Sequence, residues 1–452
     1  MLLLLLLGMP AGCAGIGRER VTAQSSTRIE AGVPLPTPVE EGGSAEALPV
    51  LGASSTLADY LTYAALNNPD LKAAFHAWKA ELEKIPQLER LPDPRFTYAY
   101  FIRNVETRVG PQRHKIGISQ LFPWFGKLRL QGDVQFEKAE AARQRYEARK
   151  WRLFYEVRKA YSAYYDLGRS IEITKENIAL LDYLEKVARA RYQVGSAGYA
   201  DVIKAQVEQG VLADRLRTLE EQIPPLAAEL NAQLNNPLDF PLPIPRTVPE
   251  EVLDVPEAQL FAWLADSNPE IQALAAQVRA GERRKELAEK RFYPDVMFGL
   301  DYIETGTSPA DPPENGKDPI VARFSLNLPI WRESYRAGVR QALEETSALR
   351  LRRIERINLL GARLKTALFN YHDADRKVRL YRDTLIPKAE QSLKATESAF
   401  KAGTRDFLSL IDTQRVLLEF QLTYERMRAK RATFFAEIEM LVGRSLAESP
   451  QP

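Results

Sequence analysis

The chain carries one plan written twice. "NNPDL" at 67–71 answers "SNPEI" at 267–271, and "DPRFTYAY" at 93–100 answers "YPDVMFGL" at 293–300, both at an offset of 200. "ISQLFPW" at 118–124 answers "FSLNLPI" at 324–330 at 206, and "RYQVGSAGYADVIKAQ" at 191–206 answers "AFKAGTRDFLSLIDTQ" at 399–414 at 208. The order is kept and the offset drifts slowly, so the two halves must share one fold. Between them lies "NNPLDFPLPIPRTVPEEVLDVP", residues 235–256, too rich in proline to hold a helix. The chain therefore divides into a first repeat at 57–234, a linker at 235–256, a second repeat at 257–443 and a C-terminal tail at 444–452.

Each repeat opens with a helical stretch (about 57–91 and 257–291), continues with two strands, then runs into a very long helix (about 124–193 and 331–402). A glycine turn and a returning helix close it. Leu153, Val157, Ala160, Tyr164, Leu167, Ile171, Thr174, Ile178 and Leu181 follow a strict 4,3 spacing. Leu360, Leu364, Ala367, Tyr371, Ala374, Val378, Tyr381 and Leu385 repeat it. A 3.5-residue period predicts helices packed side by side. About 70 helical residues span roughly 100 Å, longer than any compact domain needs. Pro387 must bend or interrupt the second rod, and Pro224 with Pro225 the first returning helix.

Four strands interrupt the helices. "RFTYAYFIR" (95–103) puts Phe96, Tyr98, Tyr100 and Ile102 on one face, and "HKIGISQLF" (114–122) groups Ile116 and Ile118 with Phe122, Gln120 being an exception. "DVMFGLDYI" (295–303) sets Val296, Phe298, Leu300 and Tyr302 opposite Asp295, Gly299 and Asp301. The strand at 321–328 aligns Ala322, Phe324, Leu326 and Leu328. About nine residues is enough to cross a bilayer at a tilt, and an aromatic-rich outer face suits lipid. Two soluble hairpins covering the helices would show the same alternation. If the face meets lipid, four strands cannot close, and open edges are not tolerated there. Three copies would supply twelve. The polar stretches 104–113 and 305–319 would then be loops facing outside.

"MLLLLLLGMPAGCAG" reads as a signal peptide over 1–12, with Cys13, the only cysteine, as a lipidation site; 13–56 reads as a flexible tether. An ordinary signal with an incidental cysteine is the alternative. One cysteine excludes a disulfide framework. A net charge of +2 excludes a general nucleic-acid footprint. His76, His114 and His372 have no metal-ligand spacing, and no phosphate-cradling or nucleophile motif is present, so neither enzyme, metal nor cofactor is expected.

The duplicated plan, together with "LNNPDL" and "SNPEI", the paired turn sequences, "LFPWFGKLR", "LNLPIW" and "LIPKAEQSLKA", resembles the TolC-type outer-membrane efflux proteins over about 57–443. The resemblance implies a mainly α fold with a small membrane β part. It implies a homotrimer whose twelve-stranded barrel sits in the outer membrane of a Gram-negative bacterium above a periplasmic helical tunnel. The function implied is a passive exit duct for a tripartite efflux system, working with a periplasmic adaptor and an inner-membrane pump of the RND type. The exit channel of a type I protein secretion system would use the same fold, and a periplasmic coiled-coil scaffold is a third reading. By resemblance, Gly195, Gly198, Gly403 and Thr404 lie at the tunnel tip and meet the adaptor. Arg405 matches a gating arginine, Asp201 its acidic partner and Asp412 one member of an acidic ring. Ser409 and Phe400 depart from the family pattern. Phe96, Tyr98, Tyr100, Ile102, Ile116, Ile118, Val296, Phe298, Leu300, Tyr302, Phe324 and Leu326 would face lipid.

Overall fold

The computed structural model describes residues 51–446, so Cys13, the segment 1–12 and most of the expected tether lie outside the described residues. The first repeat runs α1 (Leu57–Asn67), α2 (Pro69–Glu89), β1 (Arg95–Thr107), β2 (Gly110–Phe122), α3 (Lys127–Gln193), α4 (Tyr199–Glu221) and α5 (Ile223–Leu234). The second runs α6 (Glu257–Ser267), α7 (Pro269–Lys290), β3 (Val296–Thr305), β4 (Ile320–Leu326), α8 (Arg332–Leu380), α9 (Ile386–Lys401) and α10 (Phe407–Val442).

The opening stretch of each repeat is two helices rather than one. Asn68 and Asn268 each precede a proline, which disfavours the helical conformation, and both sit extended. Their side chains cap the next helix: Asn68 accepts from Leu71 N at 3.1 Å and Asn268 from Ile271 N at 3.1 Å. Each amide also reaches the end of its own repeat. Asn68 Nδ2 donates to Gln233 O at 3.0 Å, and Asn268 Nδ2 to Leu441 O at 2.8 Å.

α3 is 67 residues long, about 100 Å of helix. The 4,3 seam is its buried stripe: Val157, Tyr164, Thr174 and Leu181 are almost fully enclosed, with Ala160 and Ile178 half-buried. Tyr60, Tyr161, Tyr164 and Leu230 centre one core, and Leu260, Leu364, Tyr371 and Phe435 centre its counterpart in the second repeat. A further core of Leu181, Leu184, Val202, Phe400, Phe407 and Leu418 draws on both repeats. Inside it Gln414 donates to Asn177 at 2.9 Å, a polar pair that fixes which helix turns face each other. Pro387 sits just past a wide π turn at Tyr381–Leu385, where the helix loosens around a ring that has no N–H to donate and crowds the carbonyl four residues back, that of Asp383. Pro224 and Pro225 follow the single-residue break at Gln222.

Residues 235–256 are non-helical; Leu242 and Val248 are buried in the first core, with Tyr164 Oη donating to Leu242 O at 3.1 Å, while Leu253 and Val255 pack on the second core and Leu253 N donates to Tyr371 Oη at 3.0 Å. At the two ends of the described residues, Leu51 packs against the first core, and Leu446 N donates to Glu439 Oε1 at 2.8 Å.

The strands form one antiparallel sheet in the order β1-β2-β3-β4, so the β2–β3 pairing joins the repeats, and β1 and β4 have an unpaired edge within the chain. The first hairpin corrects the sequence reading of 104–113 as a loop. β1 and β2 pair out to Thr107 and Gly110, and only Arg108 and Val109 turn. Bulges after Tyr100 and around Arg113 shift the register and break the alternation that sequence reading depends on. β4 ends at Leu326, two residues before the expected limit.

Candidate functional site

Residues paired across a sheet share a face, so the register sorts the side chains. Tyr98, Ile116, Tyr302 and Ile320 form one row, and Phe96, Ile118, Leu300 and Ala322 the next. Phe298 pairs with Phe324, and Val296 with both Phe122 and Leu326, on that same face. Tyr100 continues it beside His114, and Ile102 follows at 91 % exposed. The sequence-derived apolar set is thus gathered on one side of one sheet. Most of it is exposed: Phe96 at 69 %, Phe324 at 59 %. A continuous apolar face of this size demands a cover.

The opposite face mixes small, charged and aliphatic residues. Its rows are Thr97, Gly117, Asp301 and Val321; Arg95, Ser119, Gly299 and Arg323; Ala99, Lys115 and Ile303; and, at the helical end, Leu121, Met297 and Ser325. Asp301 bonds Lys115 at 3.0 Å and pairs with Arg323. A Cβ at Gly117 would stand 2.2 Å from Asp301 Oδ1, so glycine there makes room for the carboxylate.

At the strand–helix junction, exposed aromatic residues extend the apolar face: Phe125 and Trp331, with Trp124 stacked on Tyr293 at 5.3 Å. Sequence reasoning did not assign them a role, although "LFPWFGK" and "LNLPIW" contain them; aromatic girdles at barrel ends are the signal that would have found them. A buried clamp holds this junction. Lys127 Nζ donates to Asp295 Oδ1 at 2.7 Å and to Tyr293 O at 3.0 Å, and Trp124 N donates to the same Asp295 oxygen at 2.8 Å.

At the far end the two glycine turns are built alike. Gly195 (φ 72°) and Gly403 (φ 80°) are left-handed, as helix-ending glycines are. Gly195 N donates to Tyr192 O and Ser196 N to Arg191 O, both at 2.9 Å; Gly403 N donates to Phe400 O and Thr404 N to Ala399 O, both at 3.0 Å. Gly198 has no left-handed backbone; it precedes α4 in extended form. Arg191, missed in the sequence, ties the two turns. Its guanidinium lies 4.7 Å from the Phe400 ring centre and donates to Ser196 O at 2.9 Å. Lys401 donates to Glu397 at 2.6 Å and Tyr183 at 2.7 Å, which raise its ammonium pKa and fasten α9 to α3.

The expected gate residues are not brought together within the chain. Asp201 approaches Lys204 at 4.0 Å, Asp412 approaches Arg415 at 3.6 Å, and exposed Arg405 has no hydrogen bond or ion pair among the described residues. Arg415 instead reaches buried Glu208 on α4, Nε to Oε1 at 3.1 Å, a bond that raises its pKa. Asp406 caps α10, accepting from the Ser409 hydroxyl and from Ser409 N at 3.0 Å, and these bonds hold its carboxyl below the usual range. Among the described residues no His, Cys, Asp or Glu cluster could hold a metal, and no helix is long and apolar enough to cross a membrane.

A model of the outer membrane efflux protein family matches residues 61–222 and 263–444, leaving the linker between its two segments. No curated protein matches in sequence. Among solved structures, the outer-membrane channel OprN superposes at a TM-score of 0.71 with 15% identity, covering 86% of this chain and 90% of that one. The outer membrane protein VceC of Vibrio cholerae gives 0.69 at 14% identity, covering 86% and 96%. The open state of the MtrE outer membrane channel of Neisseria gonorrhoeae gives 0.68 at 14% identity, covering 92% and 99%. At these identities the likeness is one of fold.

Proposed function

Because this chain belongs to the outer membrane efflux protein family, we propose that it is the exit duct of a tripartite efflux system. Three copies close a twelve-stranded barrel in the outer membrane, and their helices form a tunnel through the periplasm. The observation that carries this reading is the four-stranded sheet, apolar and exposed on one face and unpaired at both edges. In lipid every backbone group must find a partner, which a lone sheet cannot provide and a closed ring can. The duct is passive. An inner-membrane pump of the RND type supplies the energy, and a periplasmic adaptor binds the tip around Gly195, Gly198, Gly403 and Thr404. Cys13 anchors the chain by a lipid, and Arg405 holds the mouth closed through contacts between chains, with Asp201 and Asp412 as acidic neighbours.

The test is the protein mass of the particle extracted in mild detergent, followed by its conductance in a planar bilayer. Three chains per particle with a stable conductance is the expected result. A monomer that stays in solution without detergent would sink the reading and leave a periplasmic scaffold.

A further inference from the structure

The sheet's inner face carries an uneven charge. Between the bulges and the helical end of the sheet, the paired positions on this face include Arg95, Lys115 and Arg323, against Asp301 alone. Asp301 is 5 % exposed and already engaged by Lys115 and Arg323, with Gly117 giving it space. The Arg95 side chain makes no ion pair or hydrogen bond among the described residues and is exposed. Three cations against one carboxylate leave two positive charges per chain, and six around a ring of three.

Resting on the duct reading above, we propose that Arg95, Lys115 and Arg323 make the barrel lumen a cationic collar that favours anions. The physics is that of any pore lined by one sign of charge: rings of Arg or Lys concentrate anions, and low-dielectric walls focus their field. Gly117 and Gly299 lie among these residues, and their missing side chains leave room for Asp301 beside Gly117 and for Ser119 and Arg323 beside Gly299. The chemical class it favours is anions and amphiphiles with a carboxylate, sulfonate or phosphate group. Screening limits the effect to low and moderate salt, since charges are shielded within about 10 Å at 0.1 M.

The experiment is the reversal potential of the purified trimer in a planar bilayer under a potassium chloride gradient. The sign should report chloride preference, and Arg95→Gln with Arg323→Gln should move the potential toward zero while conductance persists. Arg95→Gln alone is the second variant, because Arg95 holds no partner and its loss leaves the sheet intact; it should give part of the same shift. Potassium preference in the parent, or a reversal potential that neither variant moves, overturns the collar and leaves the duct standing. A trimer that passes no current overturns the duct and the collar together.

Discussion

Replacing Lys127 by Met tests whether the barrel is fastened to the tunnel by one buried charge. Lys127 is 8 % exposed and the side chain of Asp295 only 26 %. The substitution keeps an unbranched side chain one atom shorter and removes two charge-assisted hydrogen bonds, to Asp295 and to Tyr293 O. Each such bond contributes about 1.5–3 kcal/mol, and leaving a buried partner unpaired costs about 3–5 kcal/mol. Asp295 keeps Trp124 N–H and some access to water, which reduces the loss. The expected cost is about 2–3 kcal/mol. Asp295→Asn removes the matching charge but keeps an oxygen for Trp124 N, so the double variant should cost clearly less than the two single costs added. Trp124, stacked on Tyr293, is the reporter: its fluorescence during thermal unfolding of the detergent-solubilised protein should show an earlier transition in Lys127→Met. An unchanged midpoint, or a double variant equal to the sum of the singles, would refute the clamp.

Burial pushes the Asp166 carboxyl up to about 6, with Glu425 adding to the rise and Arg426 and Lys430 opposing it, and its Oδ1 is buried without a hydrogen-bond partner. A raised folded-state pKa means the native protein holds a proton the unfolded chain releases, so stability falls as pH rises from about 4 to about 6. Asp166→Asn should therefore stabilise by about 1–3 kcal/mol at pH 7 and by nothing below pH 4, read from thermal midpoints across pH. Gly403→Ala strains a left-handed position by about 1 kcal/mol and sets a Cβ 3.2 Å from Arg191 Nη2, whereas Gly195→Ala meets open space. The first should lower the midpoint more than the second; equal effects would dissociate Arg191 from the second turn. Arg405→Ala should raise single-channel conductance if Arg405 closes the mouth between chains, and an unchanged conductance would remove it from the gate.

The features legible in the sequence are those with a local period. The 4,3 seam and the alternating strands announce their buried or apolar side because the helix and the strand return a side chain to one face at fixed intervals. The glycines at 195 and 403 were legible as turns because few other residues accept that backbone. What was hidden joins distant positions. Lys127 meets Asp295 across 168 residues, and no pattern within either segment marks the pair. Arg191 stands on Phe400 because the two turns end side by side, a fact of packing between repeats. The breaks at Asn68 and Asn268 had a local signal in Asn-Pro, which served to align the repeats but not to divide the helices.

The two turns share one backbone and differ in side chains: Arg191 and Tyr192 in the first stand where Ala399 and Phe400 stand in the second, and Asp201 where Ser409 stands. In a ring of three chains the tips would therefore alternate, six in number but with threefold rather than sixfold symmetry. A partner ring of six identical subunits would find two classes of seat. It can dock at all six only by gripping what both classes present, the exposed backbone at the cap, while a subunit that reads side chains would fit every second seat and leave the others to a different mode of contact.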